Sequence, residues 1–176
     1  YMRLRGMPGL FLPKWYGVSA RGLRCLVLPI GPPSLAAQAD ALSEMHVGAR
    51  IALSERVLGL LVDALSELHE RGVMHRDVKP GNVLFDLDAD DTARALTIID
   101  LGMATFFPQT RRPAALVGSP AFASIAAHAC EPPAPAQDME SAAYTALFVC
   151  EGGEVPWNTT SDVARVTNAM VGAGAV

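Results

Sequence analysis

The sequence predicts an α+β fold in two parts, with strands concentrated before Ile30 and helices after it. Two observations carry this. Two short strand-like runs, Phe11 to Val18 and the apolar Leu23 to Leu28, are separated by the turn Ser19 to Gly22. Beyond them, Ile51 to Arg71 places Val57, Leu58, Leu61, Val62, Leu65 and Leu68 on one face at helical spacing.

In chain order, Tyr1 to Gly6 reads as the tail of a helix, closed by the Gly and Pro of Gly6 to Gly9. The strand at Phe11 to Val18 begins after Pro13, and Leu23 to Leu28 is apolar enough to predict a buried strand. Pro29, Pro32 and Pro33 exclude a regular element and leave a stiff linker, followed by a short helix to about Leu42. Gly72 stops the long helix. Val83 to Phe85 and Ala95 to Ile99 form a hairpin across the acidic connector "DLDADDTAR". Ala104 to Pro120 and Glu131 to Gln137 read as loops, and Asp138 to Cys150 as a second apolar helix. The pattern fades after Trp157.

Composition narrows the function. The 176 residues are 51% hydrophobic and 18% charged, enough for a real core. A net charge of −4 without a basic patch argues against nucleic acid and anionic membranes as partners. The apolar stretch Ile51 to Leu68 is interrupted by Glu55, Arg56 and Asp63, so no transmembrane helix is predicted. Three cysteines without CxxC spacing predict neither a disulfide framework nor a zinc site, and a reducing compartment, the cytoplasm or the nucleus, follows. "DLDADD" begins like a calcium loop, but Asp91 stands where glycine is required and Thr97 where glutamate is, which leaves a solvated acidic turn. The acceptor triplet at Asn158 carries no weight in a reducing compartment.

Two motifs carry chemistry. "HRDVKPGN" (His75 to Asn82) packs an acid, two cations and an amide between a helix and a strand, and "IIDLGMA" (Ile98 to Ala104) sets a second acid at a strand end. Together they suit phosphoryl transfer, which needs a carboxylate beside the nucleophile, a cation on the moving phosphate and oxygen ligands for magnesium. Asp77 can accept the hydroxyl proton, Lys79 can neutralise the γ-phosphate, and Asn82 and Asp100 supply the metal's oxygens. Gly102 is expected to permit a sharp turn that faces Asp100 inward.

HRDxKxxN followed by DxG resembles the catalytic loop and metal motif of eukaryotic Ser/Thr protein kinases, with Leu101 where most carry Phe. A narrower resemblance is to the casein kinase I family. "GSPAFASIAAH" (Gly118 to His128) is similar to its GTARYASINAH, "QDMESAAY" to its DDLESLGY, and "GEVPW" to its GSLPW. Upstream, "GMPGLFLPKWYG" resembles the segment between the family's C-helix and fourth strand, and "LVLPIGPPSL" resembles its hinge. The similarity runs from Tyr1 to about Trp157.

The resemblance implies a protein-kinase-like two-lobed fold, with residues 1–31 a partial small lobe and residues 32–176 a large lobe lacking its last helices. It implies ATP and Mg²⁺ as cofactors and a protein as substrate. Asp77 matches the catalytic aspartate, Lys79 the catalytic-loop lysine, and Asn82 and Asp100 the metal ligands. Ser119 matches the hydroxyl residue of the substrate pocket, and Asp138 the buried aspartate that anchors the catalytic loop. Leu28 falls at the gatekeeper, Pro29 offers its carbonyl and Gly31 its N–H to adenine, and Leu84 lies under the ring. His75 is structural in that pattern, and Arg76 is placed to meet a phosphate on the loop carrying Thr105 and Thr110, while Arg111 and Arg112 read either as a solvated pair or as a site for a phosphate on that loop or on a primed substrate.

A Gly-rich loop and a strand lysine in a VAIK context are absent from these residues. Three readings follow: a Ser/Thr protein kinase domain, a pseudokinase or remnant that binds partners, and a small-molecule phosphotransferase. The third class usually has Gly before the aspartate and lacks the lysine, so Arg76 and Lys79 favour a protein substrate. Oligomeric state is not encoded in any motif.

Overall fold

The computed structural model describes residues 15–88 and 95–157, together with Leu4, Met7 and Leu10, apart from the side chains of Trp15, Tyr16 and Leu26. The predicted helix tail at Tyr1 to Gly6, the start of the first strand, most of the acidic connector, the Asn158 triplet and the chain end lie outside the described residues. The fold is mixed helix and strand, as expected.

β1 (Trp15–Val18) and β2 (Arg24–Val27) form an antiparallel pair, Trp15 opposite Val27. The expectation of a buried strand here is corrected. Leu23 is 64% exposed, and Val18, Val27, Leu28 and Ile30 are also exposed. An apolar run signals burial only where a second layer covers it, and the extensive contacts of β1 and β2 among the described residues are with each other.

A 3-10 turn (Ala36–Gln38) leads into α1 (Ala39–Glu44) and then α2 (Val47–Glu70). α2 starts four residues earlier than the apolar pattern indicates. His46 makes the difference: its Nδ1 accepts from Gly48 N–H at 3.1 Å, satisfying an orphan donor of the first turn. At the other end Gly72, at φ +73°, closes the helix.

Val57, Leu61, Leu65 and Leu68 are buried as the periodicity predicts, whereas Leu58 is half-buried and Val62 exposed at the edge of the stripe. The stripe packs on α4 (Pro135–Cys150), whose Ala142, Phe148 and Val149 join the same core. α4 begins three residues before Asp138, because proline suits the first turn of a helix. Leu4, Met7 and Leu10 belong to this core too.

Between the helices, three short antiparallel pairings carry the site. β3 (Val73–Met74) pairs with β6 (Thr105–Phe106), a strand inside the segment expected to be all loop. β4 (Val83–Phe85) pairs with β5 (Leu96–Ile98), Val83 opposite Ile98. Chain from Pro33 to Leu35 runs along β4, with Leu35 N–H to Val83 O at 2.9 Å and Phe85 N–H to Pro33 O at 3.1 Å. α3 (Ile125–His128) is a single turn capped by Ser124. Among the described residues, no helix is long and apolar enough to cross a membrane.

Candidate active site

The catalytic loop leaves β3 at His75, whose side chain is fully buried. Its ring is held at both nitrogens: Nε2 lies 3.0 Å from Ile99 O, and Nδ1 accepts from Asp77 N–H at 3.3 Å. A carbonyl only accepts, so the hydrogen sits on Nε2 and the ring is neutral in this arrangement. Burial pushes its pKa below the ordinary imidazole value, with Asp138 and the Ile99 carbonyl opposing. His75 is therefore a structural residue, as expected.

Arg76 has φ +65°, a conformation disfavoured by roughly 1–2 kcal/mol for a residue with a Cβ. Asp138, at the start of α4 and 1% exposed, holds it there. Its Oδ2 accepts from His75 N–H and its Oδ1 from Arg76 N–H, each at 2.8 Å, and His69 Nε2 is also 2.8 Å from Oδ2. The Arg76 Nε donates to Met103 O at 2.6 Å, so a backbone carbonyl, in place of the anticipated loop phosphate, is its partner here.

Asp77, Lys79, Asn82 and Ser119 converge. Lys79 Nζ lies 2.9 Å from Asp77 Oδ2 and donates to Ser119 Oγ at 2.7 Å. Asn82 Nδ2 donates to Asp77 O at 2.9 Å and to Asp77 Oδ2 at 3.0 Å. Asp77 Oδ1 is buried and has no hydrogen-bond partner among the described residues. Ser119 arrives from 40 residues down the chain. Gly118 makes this approach feasible: its φ is +97°, and a Cβ there would collide with the Arg76 carbonyl oxygen.

The β4–β5 hairpin brings Asp100 back toward Asn82, with Ile99 N–H on Asn82 O at 2.9 Å. The expected role of Gly102 is corrected. Asp100 itself takes the left-handed conformation, at φ +67°, and the residue is exposed. Aspartate tolerates this backbone better than most residues. Gly102 matters because its N–H donates to Asp100 Oδ1 at 3.0 Å and a Cβ would stand 2.9 Å from that oxygen.

The residues fit a magnesium ion bound largely through phosphate. Both Asn82 donor contacts go to Asp77, which leaves its amide oxygen as a ligand, and Asp100 offers a carboxylate. Mg²⁺ is commonly held by one or two protein oxygens plus substrate phosphates. Among the described residues, no cluster of three or more His, Cys, Asp or Glu forms a closed metal site.

Of the expected nucleotide contacts, Leu84 is half-buried on β4 and bridged to Ser34, Leu28 is exposed, and Pro29 and Gly31 lie between in the linker. Sequence reasoning missed His69 and Glu140. His69 stands four residues after Leu65, a polar group on the buried stripe of α2, and that position was the available signal. Glu140 Oε1 accepts from Ile125 N–H at 2.8 Å and Tyr144 Oη–H at 2.6 Å. Burial, then this bond, pushes the Tyr144 phenol well above its ordinary pKa.

An apolar two-helix core carries a buried aspartate that grips the loop His75 to Asn82. The protein kinase domain family matches residues 36–171, and the chain belongs to that family. Over 105 residues it is 32% identical to casein kinase 1-like protein HD16 of Oryza sativa subsp. japonica, covering 54% of this chain and 15% of that protein. It is likewise 32% identical over 105 residues to a "probable casein kinase I homolog" of Encephalitozoon cuniculi, covering 55% of this chain and 33% of that one. CBL-interacting protein kinase 4 of Oryza sativa subsp. japonica is 43% identical over 98 residues, 51% of this chain and 20% of that protein. The chain thus spans a third or less of the length of these relatives.

Proposed function

We propose that this chain carries the catalytic loop of a protein serine/threonine kinase, which transfers the γ-phosphoryl group of Mg-ATP to a Ser or Thr hydroxyl of a protein substrate. The observation that supports it best is the Asp77–Lys79–Ser119 contact chain, with Asn82 bracing Asp77. Asp77 Oδ1 is the oxygen left to take the substrate's proton, since Oδ2 is engaged by Lys79 and Asn82. Lys79 stands between this base and the substrate pocket at Ser119, placed to meet negative charge on the moving phosphoryl group. When bound, Mg²⁺ would neutralise phosphate charge, with Asn82 and Asp100 as its protein ligands.

In this reading residues 1–31 end the small lobe and residues 32–176 belong to the large lobe. Leu28, Pro29, Gly31 and Leu84 line the adenine site, and the protein works in the cytoplasm or nucleus. Contact of Lys79 with Ser119 supports a protein substrate over a small alcohol. A second reading, a binding module without turnover, draws on the exposed Leu23, Val27 and Leu28 of the hairpin.

The test uses the longest natural chain containing these residues, incubated with Mg-ATP and either casein or a panel of small alcohols. Phosphate on Ser or Thr of casein, absent in Asp77→Asn, is the expected result. Transfer to an alcohol, or nucleotide binding without any transfer, overturns it in favour of the other readings.

A further inference from the structure

Among the described residues, the turn that carries Ser119 leaves two of its own carbonyls without a backbone donor. Ser119 O accepts twice, from Phe122 N–H at 3.0 Å and Ala123 N–H at 2.9 Å. The next two carbonyls, of Pro120 and Ala121, are met instead by side chains from elsewhere. His128 Nε2 lies 2.9 Å from Pro120 O, and Trp157 Nε1 donates to Ala121 O at 2.7 Å. Since a carbonyl only accepts, the His128 hydrogen sits on Nε2. Trp157 is 3% exposed and packs edge-on against Tyr144 at 5.3 Å, so its donor is fixed in direction.

We propose that His128 and Trp157 form a two-donor clamp that sets the orientation of the Ser119 turn, and are positioning residues for the Lys79–Ser119 contact. The carbonyls they hold are one and two residues beyond Ser119. Rotation of either peptide plane would swing the Ser119 hydroxyl away from Lys79 Nζ. On the other side Gly118 is pressed against Arg76, so the turn is located by its near edge and oriented by the clamp. This rests on reading Lys79 and Ser119 as the substrate side of a phosphoryl-transfer site, but the clamp itself is testable without turnover.

The chain has two lysines, Lys14 and Lys79, so lysine acetylation can be assigned to each peptide separately from the terminal amine. The experiment measures acetylation of Lys79 by acetic anhydride, read by peptide mass spectrometry with Lys14 as reference and with thermal melting recorded for each variant. Ser119→Ala sets the scale for a Lys79 that has lost the Ser119 hydroxyl and keeps only Asp77. His128→Leu and Trp157→Phe should each speed labelling about fivefold, the effect of losing one ordinary hydrogen bond. His128→Gln, which retains a donor, should label like the parent.

Parental labelling in His128→Leu and Trp157→Phe overturns the clamp, as does His128→Gln behaving like Ser119→Ala. If either His128 variant loses its cooperative melt, the residue is needed for folding and the positioning role is rejected. A labelling response here, with no phosphate transfer by the longest natural chain, leaves the clamp standing and defeats the kinase reading. Kinase activity without a labelling response does the reverse.

Discussion

Asp138 grips the amide of His75 from 63 residues away, at 2.8 Å and almost completely shielded from water. The same carboxylate takes the amide of Arg76 and meets His69. One buried group therefore determines the path of the backbone into the catalytic loop.

Replacing Asp138 with Ala should cost about 3 kcal/mol or more of folding stability, because it strands several buried donors at once. Asp138→Asn should cost less, since its amide oxygen still accepts one of them. Urea unfolding of the two variants checks the order. Equal stability of Asp138→Ala and the parent would remove the anchor from the account.

Stability should fall as pH drops below about 6.5, partly through His75. The native state holds this imidazole neutral with a lowered pKa, while the unfolded chain protonates it at its ordinary value. Between those two values the unfolded state binds the extra proton. The contribution approaches about 1.4 kcal/mol per pH unit for one group and vanishes above the unfolded value. Subtracting the melting profile of His75→Asn from that of the parent should isolate this slope. A difference that does not vary from pH 7 to 5 would contradict it.

In a parent chain that turns over, Asp77→Asn should lower kcat by about 100-fold or more while nucleotide affinity is retained, the pattern of a lost general base. Asp100→Asn should instead raise the Mg²⁺ concentration needed for half-maximal rate. Steady-state assays across a magnesium series separate the two, and a fully active Asp77→Asn would sink the assignment.

Leu61 is completely buried where α2 faces α4. Its truncation to Ala should destabilise by about 2–5 kcal/mol through lost transfer energy and the cavity left behind. Val62→Ala, one residue on but exposed, should stay within about 0.5 kcal/mol. Chemical denaturation of the pair tests whether the helical stripe was assigned to the correct face.

The long helix and the catalytic loop were legible because their signals are local: a 3.6-residue period, and charged residues within eight positions of one another. The tie from Asp138 to the loop was accessible only through resemblance, since nothing near Asp138 in sequence shows what it holds. Burial of β2 was misjudged because apolar composition cannot tell whether a second layer exists. The start of α2 was missed because histidine is an unusual N-cap. The turn at Asp100 to Gly102 is set by backbone angles that no motif records: Asp100 takes the left-handed conformation and Gly102 does not. His128 and Trp157 act on carbonyls of other segments, and a donor meeting a distant carbonyl leaves no sequence pattern.

The reach of Asp138 also dictates an order in time. At about 5–20 residues per second, the 62 residues from Arg76 to Asp138 take roughly 3–12 s to be synthesised. α2 can form by itself within microseconds of leaving the ribosome. The loop beside it stays without its anchor for seconds, with the Arg76 backbone unsupported in its unfavourable conformation. The proposed catalytic residues are therefore encoded before their anchor and ordered after it, and nascent chains halted before α4 should present a cleavable site at His75 to Asp77 that longer chains conceal.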